Sequence, residues 1–107
     1  MSRVTALEAL LARGQDNALL RYSLGNEYLN GGDPAAAATH LQRAVAHDPD
    51  YSAAWKLLGK AHAALGQNTQ ARGAYESGIS AANRRGDKQA EKEMRVFLRR
   101  LLNSGDS

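Results

Sequence analysis

Three histidines are the side chains of this 107-residue sequence best suited to acid–base or metal chemistry: His40, His47 and His62. His40 and His47 are seven positions apart, whereas two histidines that share a metal ion on one helix stand on adjacent turns. The chain has no cysteine, so a thiol nucleophile, a disulfide and a cysteine-ligated zinc site are all excluded. We therefore predict no metal site and no cofactor.

Two glycine-containing segments match catalytic motifs only in part. Residues 73–78 have the outline of a nucleophile elbow, but Tyr75 occupies the position of its first glycine and no strand precedes it. The segment at Gly59 and Lys60 lacks the upstream glycine and the following Ser or Thr of a phosphate-binding loop. The sequence therefore predicts no catalytic residue and no enzymatic activity.

The elements that carry these residues are predicted to be helices. Apolar residues recur every three or four positions in each strong segment, without the alternation typical of strands. Hydrophobic residues make up 43% of the chain and charged residues 23%, as in ordinary globular domains. No apolar run approaches the roughly 20 residues of a membrane span. We expect one soluble, cytoplasmic domain that does not bind membranes.

Capping and stop signals divide the chain into six predicted helices and no strands. Asp33 supplies a capping carboxylate, and Pro34 suits a first helical position because it has no amide hydrogen to leave unpaired. Gly66 is expected to end the fourth helix. Asn68 and Asp87 are the predicted caps of the last two helices.

A period of 34 residues relates the middle of the chain to itself. The pair Leu24 and Gly25 recurs as Leu58 and Gly59, 34 positions later, and other small and apolar residues recur with it. A fixed period of this length is typical of stacked supersecondary units.

This pattern resembles the tetratricopeptide repeat family, whose units are helix–turn–helix pairs of about 34 residues. On that alignment, repeat 1 spans residues 18–51 and repeat 2 spans residues 52–85. The matching residues are Leu24, Gly25, Tyr28, Ala37, Leu41, Ala44 and Pro49, then Trp55, Leu58, Gly59, Ala71 and Tyr75. The departures are Arg21 at the usual tryptophan, His62 at the usual tyrosine, Gly78 at the usual alanine and Asn83 at the usual proline.

The flanking segments complete the expected array. Residues 1–16 resemble the second half of a truncated repeat, because Leu7, Leu10 and Leu11 stand 34 positions before the apolar residues Leu41, Ala44 and Val45. Residues 87–103 do not keep the period, since Lys92 and Glu93 fall where the Leu-Gly pair belongs. We predict a capping helix there, with a frayed tail over 103–107. The resemblance implies an all-α solenoid of antiparallel helix pairs in a single domain, 1–107.

The resemblance also implies a function. In this family the first helix of each pair lines a concave groove that holds a peptide of a protein partner. Carried over by position, the groove residues are Leu19, Tyr22, Asn26, Leu29, Ala53, Lys56 and Lys60. Lys56 and Lys60 are one turn apart and suit an acidic partner. Tyr22 and Leu57 replace the lysine and asparagine of a carboxylate clamp, which disfavours that form of recognition.

An alternative binding surface lies in the last predicted helix. Residues 84–100 contain seven basic and three acidic side chains, a net charge of +4. Its candidate basic patch for a nucleic acid or an acidic partner consists of Lys88, Lys92, Arg95 and Arg99. Nucleic acid is the less favoured ligand, because the one aromatic residue there, Phe97, falls in the apolar stripe. Self-association through the uncovered first helix is a third expectation.

Glycines inside the fifth predicted helix allow two interpretations. Gly78 either admits Met94 or Phe97 of the capping helix at close range, or it weakens the helix so that the cap swings. If the site is merely unpacked, Gly78→Ala raises stability by up to ~1 kcal/mol. A clear loss of stability would indicate that the cap needs the space.

Overall fold

The computed structural model describes residues 2–105, and over that range it contains six helices and no strand. The helices are α1 (Arg3–Ala12), α2 (Ala18–Asn30), α3 (Pro34–His47), α4 (Ser52–Ala64), α5 (Asn68–Arg85) and α6 (Lys88–Gly105). Each helix packs against the next in chain order, and α4 also contacts α2 and α6. The predicted all-α solenoid of six helices is therefore confirmed.

The C-terminal boundary differs from the prediction. Because α6 continues to Gly105, residues 103–105 are helical and not frayed. The remainder of the predicted tail, Asp106 and Ser107, lies outside the described residues, as does Met1.

Two of the predicted caps form as expected. An Asp33 carboxylate oxygen accepts a hydrogen bond from the Ala36 amide at 3.1 Å, and Asp87 accepts one from the Ala90 amide at 3.1 Å. These bonds satisfy amides that the first helical turn leaves without partners. Local chemistry therefore fixes where α3 and α6 begin.

The predicted cap at Asn68 is wrong by one position. The residue before α5 is Gln67, and it makes no side-chain capping bond; Asn68 is already helical. Gly66, at φ +73°, closes the preceding turn and the Gln67 amide bonds back to the His62 carbonyl at 2.9 Å. The Gln67 side chain instead accepts a hydrogen bond from His62 Nδ1 at 2.7 Å.

Glycine sets the distance between the helices of each pair. A Cβ atom added at Gly25 would stand 2.6 Å from Cδ2 of Leu41, and one added at Gly59 would stand 2.6 Å from Cδ1 of Tyr75. Both separations are too short for real carbon atoms, so the neighbouring side chain fills the space that glycine leaves. This close approach is the physical reason for the Leu-Gly recurrence.

The apolar core has two clusters. The first is centred on α3 and α4 and includes Leu41 and Leu58, both at most 1% exposed. The second joins α5 to α6 through Tyr75 and Met94. Trp55 is half-buried and packs against both clusters, so it links the capping helix to the centre of the molecule.

Gly78 lies where α4, α5 and α6 meet. A Cβ atom added there would stand 2.7 Å from the Cβ of Trp55 and would overlap the Met94 sulfur. The close approach of the cap therefore accounts for Gly78, and Met94 is the residue that uses the space. Gly73, on the same helix, has no atom within 4 Å of an added Cβ.

Polar contacts attach α1 to the rest of the array, since none of its residues is buried. Glu8 accepts a hydrogen bond from the Tyr28 hydroxyl at 2.6 Å. In the following loop, Asp16 accepts bonds from Arg21 at 2.7 and 2.9 Å and from His47 Nε2 at 2.9 Å. Partly exposed ion pairs and hydrogen bonds thus contribute to the attachment of α1, which has no fully buried apolar residue.

Arg21 is the centre of this network. Its Nη1 donates to His40 Nδ1 at 3.1 Å, and the His40 ring stacks on Tyr28 at 5.4 Å with an angle of 3° between the planes. The position 34 residues later holds Trp55, whose indole lies between the two apolar clusters. Replacing the usual tryptophan by Arg21 therefore exchanges apolar packing for a charged contact with Asp16.

Candidate functional site

The predicted groove residues lie on two helices that contact each other. They are Leu19, Tyr22, Asn26 and Leu29 on α2, and Ala53, Lys56 and Lys60 on α4. Leu29 is half-buried and packs against the first core cluster, and Ala53 is also half-buried. Both side chains therefore expose only part of their surface to solvent.

Apolar and aromatic residues lie near the amino-terminal ends of α2 and α4. Leu19 is 66% exposed, the most exposed large apolar side chain in the described part of the chain. Tyr22, one turn further along α2, stacks on Tyr51 with ring centroids 5.0 Å apart. Because Tyr51 immediately precedes α4, the stack joins the two helices. Burial raises the pKa of Tyr51 above its ordinary value, because a phenolate would be poorly solvated there.

Asn26 is a polar residue of the candidate site without a side-chain hydrogen-bond partner among the described residues. It is half-buried, and its side-chain amide makes no hydrogen bond with another residue of 2–105. A primary amide offers two donors and an acceptor, the groups that a peptide backbone requires. Asn26 is therefore available to a ligand.

Lys56 and Lys60 differ in their contacts with α6. The Lys56 ammonium donates a hydrogen bond to Glu93 at 2.9 Å, and its side chain is 26% exposed. This contact holds the pKa of Glu93 below its usual range, with help from a hydrogen bond from Gln89. Glu93 is therefore ionised at neutral pH, and it neutralises Lys56.

Lys60 contacts an aromatic ring of α6 and not a carboxylate. Its ammonium lies 5.3 Å from the centroid of the Phe97 ring, and the Arg100 guanidinium lies 6.0 Å from the same centroid. Neither cation makes an ion pair with a carboxylate of the described residues. The surface between α4 and α6 therefore carries two unpaired positive charges over an aromatic ring.

Glu93 and Phe97 are residues of this site that the sequence did not reveal. Lys56 and Glu93 are 37 positions apart, and no spacing rule connects them because α6 departs from the 34-residue period. Phe97 was expected only in the apolar stripe. It packs there, against the second apolar cluster, and both cations also reach its ring.

The predicted basic patch is a separate surface. Lys88, Lys92, Arg95 and Arg99 are all exposed and line one shallow depression on α6, together with Glu91 and Val96. Arg95 is paired with Glu91 at 2.9 Å. The structure thus brings the four predicted residues together on one face.

The three histidines are dispersed. His40 bonds to Arg21, His47 to Asp16 and His62 to Gln67. Within residues 2–105 no three His, Asp or Glu side chains are grouped so that they could hold a metal ion. None of the helices in that range combines the length and apolar character needed to cross a membrane.

Comparisons with known proteins agree with this architecture. The family model described as Tetratricopeptide repeat matches residues 22–87. The TPR repeat-containing protein PA0015 of Pseudomonas aeruginosa is 59% identical over 98 residues, which cover 92% of this chain and 93% of that protein. The solution structure of protein BPP2914 from Bordetella parapertussis superposes with a TM-score of 0.83 at 48% identity, covering 97% of this chain and 90% of that one.

A further relative is much longer. The Beta-barrel assembly-enhancing protease of Escherichia coli is 40% identical over 68 residues. The match covers 64% of this chain but only 14% of the protease, so the similarity concerns a small part of that protein.

Proposed function

Because the chain belongs to the tetratricopeptide repeat family, we propose that it is a non-enzymatic interaction module that binds a peptide segment of a protein partner. The binding surface is the predicted groove of α2 and α4, extended by Glu93 and Phe97 of α6. The exposed apolar end formed by Leu19, Tyr22 and Tyr51 is the observation that carries this proposal.

The apolar end supplies affinity. Leu19 is 66% exposed in the free protein, and covering such a side chain fully contributes roughly 2 kcal/mol. Tyr22 and Tyr51 are held by their mutual stacking, so little side-chain entropy is lost when a ligand covers them. Pre-ordered aromatic residues beside an exposed aliphatic one are typical of the residues that dominate binding energy.

Asn26 and Lys60, the polar residues of the proposed surface, orient the bound peptide and favour one that carries negative charge. Asn26 offers its free amide to the peptide backbone, and Lys60 offers an unpaired charge to an acidic side chain. Lys56 has a structural role in this proposal, since Glu93 already neutralises it. A partner with an apolar anchor and a carboxylate therefore suits the surface best.

In this arrangement residues 1–16 form a half repeat, residues 18–51 and 52–85 form two repeats, and residues 87–103 cap the array. Each full repeat contributes one groove helix, and the cap closes the end beside Lys60. The cytoplasmic location and the self-association expected from the sequence stay predictions.

The test selects peptides from a random library displayed on phage against the full chain, and then measures their affinity for two matched variants. Leu19→Ser removes the exposed apolar anchor, whereas Leu65→Ser removes another leucine that is 37% exposed but lies outside the proposed surface. We expect Leu19→Ser to weaken binding about tenfold and Leu65→Ser to leave it unchanged. Equal affinity of the selected peptides for both variants would refute the groove assignment.

A further inference from the structure

The outer face of α6 carries a second charged surface. Lys88, Lys92, Arg95 and Arg99 are separated by four, three and four positions, so they follow one face of the helix. We call these four residues the basic stripe; it is about 16 Å long at the rise of an α-helix. The buried residues Ala90 and Met94 lie on the opposite side of α6 and face the core.

The basic stripe is poorly neutralised. Glu91 is the one acidic side chain among the residues that line the depression, and it pairs with Arg95. The hydrogen bond from Arg95 lowers the pKa of Glu91, which therefore stays ionised. Lys88, Lys92 and Arg99 make no ion pair with a carboxylate of residues 2–105.

The arrangement of these charges opposes the stability of the helix. Lys88 and Lys92 are four positions apart, as are Arg95 and Arg99, and like charges at this spacing repel each other on a helix. None of the four side chains contributes to the core. The core therefore gains nothing from the basic stripe, whose one ion pair joins Arg95 to Glu91, whereas an anionic ligand would relieve its repulsion.

We propose that the basic stripe binds an acidic polypeptide segment, independently of the groove. A helical segment with carboxylates on one face at the same spacing places one carboxylate opposite each cation. Val96, half-buried within the depression, adds a small apolar contact.

The geometry favours a polypeptide over a nucleic acid. Since α6 is packed against both α4 and α5, only the side that carries the basic stripe is free to meet a ligand. Single-stranded nucleic acids bind to exposed aromatic rings, and the basic stripe contains none. Phe97 lies on the side of α6 that faces Lys60.

The experiment measures fluorescence anisotropy of a labelled acidic peptide of about 12 residues, long enough to span the stripe as a helix. The same peptide with Gln in place of Glu is the uncharged probe. The protein is the full chain, its Lys92→Glu/Arg99→Glu variant, and the matched Arg13→Glu/Arg72→Glu variant. The matched variant has the same net charge, and its two exposed substitutions lie outside α6.

We expect the acidic peptide to bind the full chain at low salt and the stripe variant to bind at least about tenfold more weakly. The matched variant loses no more than about twofold, and binding of the wild type weakens as salt screens the charges. We also expect the stripe variant to melt at the same or a higher temperature than the wild type, because two repulsive pairs are removed.

Three outcomes overturn the proposal. Equal losses in the two variants would mean that net charge alone drives binding, and absence of binding at low salt would mean that the surface is merely solvated. Tighter, stripe-dependent binding of an oligonucleotide or of anionic vesicles would identify a different class of ligand. Because Leu19 and Lys60 are unchanged in both variants, failure here is distinguishable from failure of the proposed groove.

Discussion

The ammonium of Lys56 is hydrogen-bonded to the carboxylate of Glu93 at 2.9 Å, which joins α4 to α6. Lys56 is therefore part of the attachment of the capping helix. Lys60 has the same side chain one turn along α4, but it makes no ion pair with a described carboxylate. We therefore expect substitutions of the two lysines to have different effects.

Reversing the charge of Lys56 should destabilise the fold. Lys56→Glu removes the ion pair and places two carboxylates against each other, at an expected loss of about 1 kcal/mol for a partly exposed pair. Urea unfolding measures this loss. The double variant Lys56→Glu/Glu93→Lys restores opposite charges and should recover most of the stability; a double variant as unstable as Lys56→Glu would show that the pair does not interact.

Lys60→Glu should weaken binding more than folding, because Lys60 makes no ion pair with a described carboxylate. The variant reverses an unpaired charge of the proposed groove, so the association rate of an acidic library-selected peptide should fall. The effect should shrink as salt is added, because the interaction is screened. Stopped-flow association at two salt concentrations checks this, and a change confined to the dissociation rate would contradict it.

Gly73 and Gly78 make a matched pair for testing the packing of α6. Both lie in α5, so alanine brings the same gain in helix propensity at each position. Gly73→Ala should raise the free energy of unfolding by about 0.5–1 kcal/mol, since an added Cβ meets nothing.

Gly78→Ala should instead lower the free energy of unfolding by about 1–3 kcal/mol, because the new methyl group overlaps Met94 and Trp55. Equilibrium denaturation of both variants gives the comparison. A stabilised Gly78→Ala protein would show that α6 moves away at no cost.

The contacts of His40 predict a loss of stability in mild acid. Burial holds the pKa of His40 below its ordinary value of 6.5, and Arg21 donates to its Nδ1, which must therefore be unprotonated. The groups that face this ring are Arg21 from α2, Glu8 from α1 and, more distantly, Asp16.

The direction in which stability changes with pH follows from proton binding by His40. As the pH falls below 6.5, His40 in the unfolded chain binds a proton before His40 in the folded chain does, so stability decreases. His40→Asn keeps an acceptor for Arg21 and cannot titrate. Melting temperatures from pH 7 down to pH 5 should fall more steeply for the wild type than for the variant. Parallel curves would show that His40 does not contribute.

The helices and most of their ends were predictable because their signals are local. The carboxylates of Asp33 and Asp87 bond within three residues, and Gly25 and Gly59 repeat a contact that one helix pair fully defines. The error at Asn68 arose because the Gln67 carbonyl already accepts the first helical bond, from the Ala71 amide at 2.9 Å, so α5 begins one residue earlier than expected.

The contacts that define the candidate site were not predictable in the same way. Lys56 and Glu93 belong to helices that no common period relates, and the orientation of α6 depends on how Met94 fits against Gly78. Arg21 was visible as a departure from the family pattern. Its partners come from a loop and a different helix, so their convergence depends on the folded chain.

The contacts of Trp55 make the carboxyl-terminal end of the array more resistant to local unfolding than the amino-terminal end. Its contacts with both apolar clusters mean that the last helix cannot be released without uncovering the middle of the chain, so these parts should melt in a single step. α1 has no buried residue of this kind, and it can detach when its hydrogen bonds and ion pairs with the rest of the chain break. Unravelling should therefore proceed from the amino terminus, and hydrogen exchange in α1 should be the fastest of the six helices.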